Sequence, residues 1–327
     1  MDRATKKDYI DQLDALVEDP AVQRDDEASN ETDAFNVLVS LSDDDLALAT
    51  TSVARALYER RGARPSVLYV IEIGPSVPEA AMVSMTLEDE LRDPRVRAKQ
   101  EADMKSVLRL NKGAESTWPF SLEVGSVATS IVENARSQGA RLIMMGLNRH
   151  AVVARVLGKD TVREVMALSG VPVLAVRPAL YTLPKRVVVA VDFSRASVRA
   201  AHLARWLVDE HGTMDLLFVE SGVLDGPEES AEGLRMIQSK GVDAAFAQLI
   251  AALSPASGVT INSIVRSGSP VEEIVRFCEG VTPNLVAIGS QRHRFLDRLI
   301  LGSVARSIAV DGRWSVLVTP PEKAARS

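Results

Sequence analysis

The chain has 327 residues, 46% of them hydrophobic and 25% charged, which is typical of a globular protein and long enough for two domains. No apolar run approaches the length of about eighteen residues that suggests a transmembrane helix, so we expect no contact with a membrane interior. The net charge of −6 argues against binding nucleic acid, because such binding depends on basic residues meeting phosphates.

The negative charge is concentrated at the N-terminus. Residues 1–33 contain eleven acidic and four basic residues, a net charge of −7 that leaves the remainder near +1. We interpret 1–33 as a flexible acidic segment, with a partner-binding amphipathic helix as the alternative. The single cysteine, Cys278, allows no intrachain disulfide, and the N-terminus lacks the apolar region of a secretory signal, so we predict a cytoplasmic location.

From Phe35 onward, apolar runs alternate with helical patterns. Short, nearly continuous apolar runs predict five strands. They are 35–41, 66–73, 120–124, 142–145 and 171–176. Helical patterns between them begin after residue 42, at Asp93-Pro94, at Val127 and at Val162.

The same alternation starts again after a proline-containing connector at 177–186. The strands predicted there are 187–194, 216–219, 261–265, 285–289 and 314–318. Domain boundaries of 34–178 and 185–322 follow from this pattern.

The two halves align without a gap across the later part of each. Gly125 and Gly268, Gly146 and Gly289, and Leu174 and Leu317 are each 143 residues apart. Agreement at this many distinctive positions indicates an internal duplication. Strand–helix alternation with apolar strands predicts an α/β fold in which parallel sheets are covered by helices on both faces.

One spacing carries a family resemblance. Gly289 is followed after two residues by Arg292, and after nine more by Gly302 and Ser303. This resembles the nucleotide-binding motif of the universal stress protein family, Gly-x-x-Gly, nine residues and Gly-Ser/Thr, with Arg292 in place of the second glycine. The resemblance covers about 34–321. It implies two tandem doubly wound five-stranded sheets of strand order 3-2-1-4-5, like those of adenine nucleotide alpha hydrolases.

In that order the chain reverses direction between the first and fourth strands, and ligands bind at such a switch point. In the second half Asp192 and Gly289 end these two strands. The resemblance implies an adenine nucleotide, such as ATP with Mg²⁺, held by Asp192, by the Val219 backbone and by the phosphate loop.

Each of these residues also has a simpler interpretation. Asp192 or the nearby Ser194 would equally suit the N-cap of the next helix. Gly289 would suit a plain strand-to-loop turn, and Gly302-Ser303 an ordinary helix start. Arg292 would bind phosphate, fill the space that a triphosphate needs, or form part of a solvated basic loop.

The first half departs further from the motif. A serine-type residue, Ser42, follows its first strand, and Lys159 and Asp160 stand where Gly302 and Ser303 stand in the second half. Asp160 would repel a phosphate, so we predict that this half binds no nucleotide or binds it weakly. Neither half contains a metal-ligand spacing or a catalytic motif, so we expect no metal site and no strong enzymatic activity.

The fifth strands are apolar edges, and such edges invite pairing. The resemblance implies that they pair within the chain, and a homodimer would extend this arrangement. Three functions remain open. The first is a stress-response protein that binds a nucleotide in its second half, and the second is a nucleotide-free scaffold for interaction and dimerisation. The third, ranked last, is an ATP-hydrolysing or nucleotidyl-transferring enzyme on the same fold, which would need a catalytic motif that the sequence does not show.

Overall fold

The computed structural model describes residues 35–42, 46–72, 90, 93–107, 110, 114–147, 161–220, 241–253, 258–290 and 303–320. The predicted segment 1–33 lies outside these ranges. Within them, no helix is long and apolar enough to cross a membrane.

The described residues of the first half form five strands and four α-helices, in the order predicted. The strands are β1 (Asn36–Leu41), β2 (Arg64–Glu72), β3 (Phe120–Gly125), β4 (Leu142–Gly146) and β5 (Val173–Val176). The helices are α1 (Leu46–Arg61), α2 (Pro94–Val107), α3 (Val127–Ser137) and α4 (Thr161–Leu168), with a 3-10 turn at Ala114–Thr117.

The second half repeats this order. Its strands are β6 (Arg186–Val191), β7 (Thr213–Glu220), β8 (Thr260–Ser267), β9 (Leu285–Gly289) and β10 (Ser315–Thr319). Its helices are α5 (Arg195–Leu207), α6 (241–252), α7 (Pro270–Val281) and α8 (Ser303–Asp311).

All ten strands form one sheet, in the order β3-β2-β1-β4-β5-β10-β9-β6-β7-β8. Each half therefore has the predicted order 3-2-1-4-5, and all pairings within a half are parallel. The expected α/β fold is confirmed, with the two five-stranded sheets merged into one.

The halves join through their fifth strands, as expected. β5 and β10 pair antiparallel, with Leu174 opposite Leu317. These two residues are also counterparts in the duplication, 143 positions apart, so a pseudo-twofold axis passes between them. Pairing removes two apolar edges that would otherwise be exposed.

Helices cover both faces of the sheet, and each face has a core that continues from one half into the other. One core packs α1, α5 and α6 against the sheet and includes Val39, Leu57, Val189 and Phe246. The opposite core packs α3, α4, α7 and α8 and includes Ile131 and Ile274. Both cores stabilise the fold, because each Å² of apolar surface removed from water contributes roughly 25 cal/mol.

Glycines explain several local turns. Gly62 follows α1 with φ +65°, the left-handed conformation that ends many helices. Gly125 and Gly268 have φ values of +146° and +145° and lead into the N-caps Ser126 and Ser269. The repeated Gly-Ser pair thus marks the same strand-to-helix turn in both halves.

Some predicted boundaries differ from the structure. The sequence predicts that the helix after β6 ends at Gly212, whereas α5 ends at Leu207. Gly212 instead belongs to the turn before β7, where an added Cβ would lie 2.8 Å from the Lys185 carbonyl oxygen. The connector after β5 is packed against the core, with Leu180 and Leu183 buried.

Cross-linking tests the internal pairing of the fifth strands. Ala175 lies opposite Val316, and antiparallel neighbours have Cα separations of about 4.5–5.5 Å, which suit a disulfide. In a Cys278→Ala background, oxidised Ala175→Cys/Val316→Cys should form a bond within one chain. It should run as a 35.3 kDa species on a non-reducing gel. Each single cysteine variant serves as a control, and disulfide-linked dimers as the main product of the double variant would contradict internal pairing.

Candidate functional site

The switch point of the second half lies between β6 and β9. These strands run parallel, with Ala190 opposite Ile288. Asp192 follows β6 directly, and Ser290 follows Gly289 at the end of β9. The structure therefore brings Asp192 and Gly289 to neighbouring strand ends, as the sequence predicted.

Asp192 is exposed, and its carboxylate organises the turn into α5. Its Oδ1 accepts a hydrogen bond from the Ser194 N–H at 3.0 Å. Its own N–H donates to the Ser197 Oγ at 3.3 Å. The Ser194 Oγ accepts from the Ser197 N–H at 3.3 Å, so Ser194 is the N-cap of α5. The capping role left open for this pair therefore belongs to Ser194.

Phe193, between Asp192 and Ser194, has an unusual backbone conformation. Its φ is +57°, in the left-handed region that large side chains rarely adopt. Its buried ring packs against Phe218, at 5.4 Å between ring centroids, and against Phe246, at 5.3 Å. This aromatic packing offsets the backbone strain and holds the turn that carries Asp192. No sequence pattern singled out Phe193.

Gly289 is required by close packing between α5 and the sheet. A Cβ added at Gly289 would lie 2.4 Å from the Ser197 backbone nitrogen and 2.5 Å from the Ala196 carbonyl carbon. Its counterpart Gly146 is similarly crowded, because a Cβ there would lie 2.6 Å from the Leu46 Cβ. Both halves thus need glycine where the first helix crosses the fourth strand. The sequence interpretations of Gly289, a phosphate contact or a simple turn, did not include this role.

Two buried hydroxyl groups complete the switch point. The Ser290 Oγ donates to the Thr319 carbonyl oxygen at 3.1 Å. The Thr319 Oγ1 donates to the Ala196 carbonyl oxygen at 2.7 Å, which ties the end of β10 to the start of α5. No motif in the sequence singled out either residue, although the repeat contained a signal: the 143-residue offset pairs Ser290 with Leu147 and Thr319 with Val176.

The equivalent position in the first half is less polar. Val37 pairs with Leu142 as Val187 pairs with Leu285, which makes Ser42 the structural counterpart of Asp192. The Leu147 N–H donates to the Val176 carbonyl oxygen at 2.8 Å, the same bond that Ser290 and Thr319 make at 2.8 Å. The backbone is thus repeated, while Asp192, Ser290 and Thr319 of the second half have Ser42, Leu147 and Val176 as their counterparts.

The structure describes only some of the other residues that the sequence predicted for the site. Val219 lies near the end of β7, partly buried and opposite Arg266 of β8. Ser303 is the first residue of α8. Arg292 and Gly302 fall outside the described residues, as do Lys159 and Asp160 of the first half.

The described residues of the site determine which kinds of ligand it could bind. Among the residues that the structure describes, no three His, Cys, Asp or Glu side chains group as a metal site. The exposed Asp192 carboxylate can accept hydrogen bonds from a ligand, whereas the buried hydroxyls of Ser290 and Thr319 already donate to backbone carbonyl oxygens. Asp192 and Gly289 thus lie at the topological switch point of a doubly wound sheet, which is where ligands bind in folds of this class.

The fold and this site define a class: two doubly wound α/β halves of the adenine nucleotide alpha hydrolase type, arranged in tandem. The model of the "Universal stress protein family" matches the chain twice, at residues 34–177 and 184–320. The chain therefore belongs to the universal stress protein family, as a tandem member.

Solved structures agree on the fold. A universal stress protein from Archaeoglobus fulgidus DSM 4304 is 18% identical, with a TM-score of 0.53; the match covers 88% of this chain and 98% of that one. A protein of unknown function from Pseudomonas aeruginosa PAO1 is 15% identical with a TM-score of 0.57, over 88% and 93% of the two chains. A putative universal stress protein from Pseudomonas aeruginosa UCBPP-PA14 is 15% identical, with a TM-score of 0.57; the match covers 88% of this chain and 94% of that one. A comparison with curated proteins finds no significant match.

The packing role of Gly289 predicts a loss of stability when a side chain is added. Gly289→Ala should lower the free energy of unfolding by about 1–3 kcal/mol, because the backbone of α5 must move away. Gly280→Ala is the matched control: Gly280 lies in α7 with nothing within 4 Å of an added Cβ. Alanine there should be neutral or stabilising by up to about 1 kcal/mol, since it favours the helix. Denaturant unfolding measures both, and equal effects would contradict the packing role of Gly289.

Proposed function

We propose that this protein takes part in a cytoplasmic stress response and binds ATP or another adenine nucleotide in its second half. The ligand lies at the switch point between β6 and β9. The main support for this proposal is a difference between the halves at the end of their first strands. The backbone arrangement there is the same, but the residue is Asp192 in the second half and Ser42 in the first. The proposed role is binding rather than strong catalysis.

Asp192 supplies the group suited to the sugar. A carboxylate accepts hydrogen bonds from the paired hydroxyls of a ribose, and hydrogen bonds to a charged group are worth about 1.5–3 kcal/mol. Asp192 is exposed at the strand end, and the turn that carries it is fixed by Ser194, Ser197 and the buried Phe193 ring. A fixed carboxylate loses little conformational entropy when a ligand binds.

The phosphates would extend toward the start of α8. This helix begins at Ser303, and helix N-termini favour anions because their first N–H groups lack partners within the helix. In this proposal Gly302 and Ser303 contact phosphate, Arg292 pairs with it, and Mg²⁺ accompanies ATP. The Val219 backbone meets the adenine.

A second candidate is a nucleotide-free scaffold of the same fold. Two observations favour it: packing against α5 accounts for Gly289, and the turn to Ser194 accounts for one oxygen of Asp192. Both residues thus have structural roles that need no ligand. The two proposals differ in whether the crevice binds a nucleotide, so titration separates them.

A titration with fluorescent ATP and Mg²⁺ tests the nucleotide proposal. Asp192→Asn should weaken binding about 10- to 100-fold, because it removes the charge from a hydrogen bond to the ribose. The asparagine oxygen can still accept from the Ser194 N–H, so the turn should persist and the melting temperature should change little. Ser42→Ala, at the equivalent position of the first half, should leave the affinity unchanged.

Two results would contradict this assignment. An unaltered chain that shows no saturable binding at millimolar nucleotide would favour the scaffold. If the unaltered chain binds and Asp192→Asn binds equally well, then the nucleotide lies elsewhere and the switch-point assignment is wrong.

We also propose that two chains associate through the outer strand β8. The fifth strands pair with each other within the chain, so a second copy needs another surface. Val265 of β8 is 48% exposed, whereas its counterpart in the first half, Leu122, is 3% exposed. An exposed apolar residue on an outer strand is a common point of association.

Light scattering tests the dimer. The unaltered chain should have about twice the mass of 35.3 kDa, and Val265→Lys should be monomeric because an edge lysine opposes strand-to-strand contact. Tyr181→Lys replaces another exposed apolar side chain, away from β8, and should leave the dimer intact. A monomeric parent protein would refute the homodimer.

A further inference from the structure

We propose that Arg61, in the first half, is a positioning residue for the switch point of the second half and acts through helix α5. The first half would then serve as a support for the site of the other half. The effect of Arg61 on ligand affinity rests on the proposed function, whereas its effect on the turn does not.

The C-terminal end of α5 is held by the first half. The Arg61 guanidinium donates from Nε to the Trp206 carbonyl oxygen at 2.9 Å and from Nη2 to the Val208 carbonyl oxygen at 2.8 Å. Its Nη1 pairs with the Glu210 carboxylate at 3.1 Å. A cationic group on the last carbonyls of a helix both caps them and complements the helix dipole.

An aromatic contact also joins the first half to the C-terminal end of α5. The rings of Phe35 and Trp206 are stacked, with 4.1 Å between their centroids. The Arg61 side chain is only 15% exposed, so its hydrogen bonds are shielded from water. Arg60 makes a different contact, with Asp209 at 2.8 Å, and half of its side chain is exposed.

The N-terminal end of the same helix forms the switch point. The turn containing Asp192 closes on Ser197, in the first turn of α5. The Thr319 hydroxyl holds the Ala196 carbonyl oxygen at 2.7 Å. Gly289 lies against the same two helix residues, 196 and 197, with no room for a Cβ. A shift of α5 along its axis would therefore disturb the turn that contains Asp192 and, at the same time, its contacts with the ends of β9 and β10.

The helix between these ends is short and rigid. Its thirteen residues correspond to a length of about 20 Å at roughly 1.5 Å per residue. Nine of the thirteen are buried, and close-packed interiors transmit displacement rather than absorb it. A restraint at Trp206 and Val208 thus limits the position of Ser194 and Ser197.

The two halves contribute different groups to this contact. Gly146 contacts Leu46 as Gly289 contacts Ala196 and Ser197, which aligns the starts of α1 and α5. Within the described residues α1 runs for sixteen residues and α5 for thirteen, so α5 ends before it reaches a position equivalent to Arg61. The half with Ser42 at its switch point thus supplies the guanidinium, and the half with Asp192 supplies the carbonyl oxygens that accept from it.

Hydrogen exchange in the ligand-free, full-length protein tests this coupling. In Arg61→Ala, amides in the 192–198 turn should exchange about tenfold faster, the change expected from losing roughly 1.4 kcal/mol of charged hydrogen bonding. Arg61→Lys should behave similarly, because lysine keeps the charge but lacks the planar fork that reaches two carbonyls. Arg60→Ala is the matched control and should leave the turn unchanged. Amides of α7, on the opposite face, should also be unchanged, which separates this effect from general destabilisation.

Faster exchange confined to residues 204–210 would reduce Arg61 to a local cap and overturn the proposal. An equal effect of Arg60→Ala on the turn would also overturn it. In Mg-ATP titrations, Arg61→Ala should weaken binding about 3- to 10-fold with Asp192 intact. If the unaltered protein binds no nucleotide, the proposed function fails while the exchange result still decides the role of Arg61.

Discussion

The antiparallel pairing of β5 with β10 is the contact on which the rest of the structure depends. It joins two parallel five-stranded sheets into one ten-stranded sheet, and it places Leu174 opposite its own repeat, Leu317. Hydrogen bonding at this junction replaces two apolar edges that would otherwise favour aggregation. It also makes the core on each face continuous across the halves. The chain therefore contains within itself a pseudo-twofold arrangement of two similar halves.

The pseudo-twofold symmetry holds for the backbone and fails for the side chains at the switch points. Residues that fix backbone geometry are repeated, as Gly125 and Gly268 show with φ values one degree apart. Residues that set polarity have diverged, as Ser42 and Asp192 show. Because both halves belong to one sheet, the fold constrains the backbone of each half more than it constrains the side chains at the strand ends.

Much of the fold could be read from the sequence because parallel strands buried on both faces give nearly continuous apolar runs. The repeat at a constant offset of 143 residues predicted the second set of five strands. The helix α3 begins at Val127, as predicted. Helix ends were less accurate, as at Leu207, because they depend on contacts with other elements. The Arg61 interaction with Trp206 joins residues 145 positions apart and leaves no local pattern. The left-handed Phe193 was likewise hidden, since its strain is offset by rings that the fold brings from β7 and α6.

Gly289 shows why a motif can identify a family without identifying a ligand. The glycine is needed because α5 crosses β9 within van der Waals contact, and Gly146 is needed for the same reason in the first half, where Ser42 takes the place of Asp192. A glycine at the end of the fourth strand therefore follows from the fold, whether or not a phosphate binds beside it. The information about ligands lies in positions that the backbone leaves free to vary, such as Asp192 against Ser42 and Thr319 against Val176. The proposal of a nucleotide thus depends less on the glycine spacing than on Asp192, whose counterpart in the first half is Ser42.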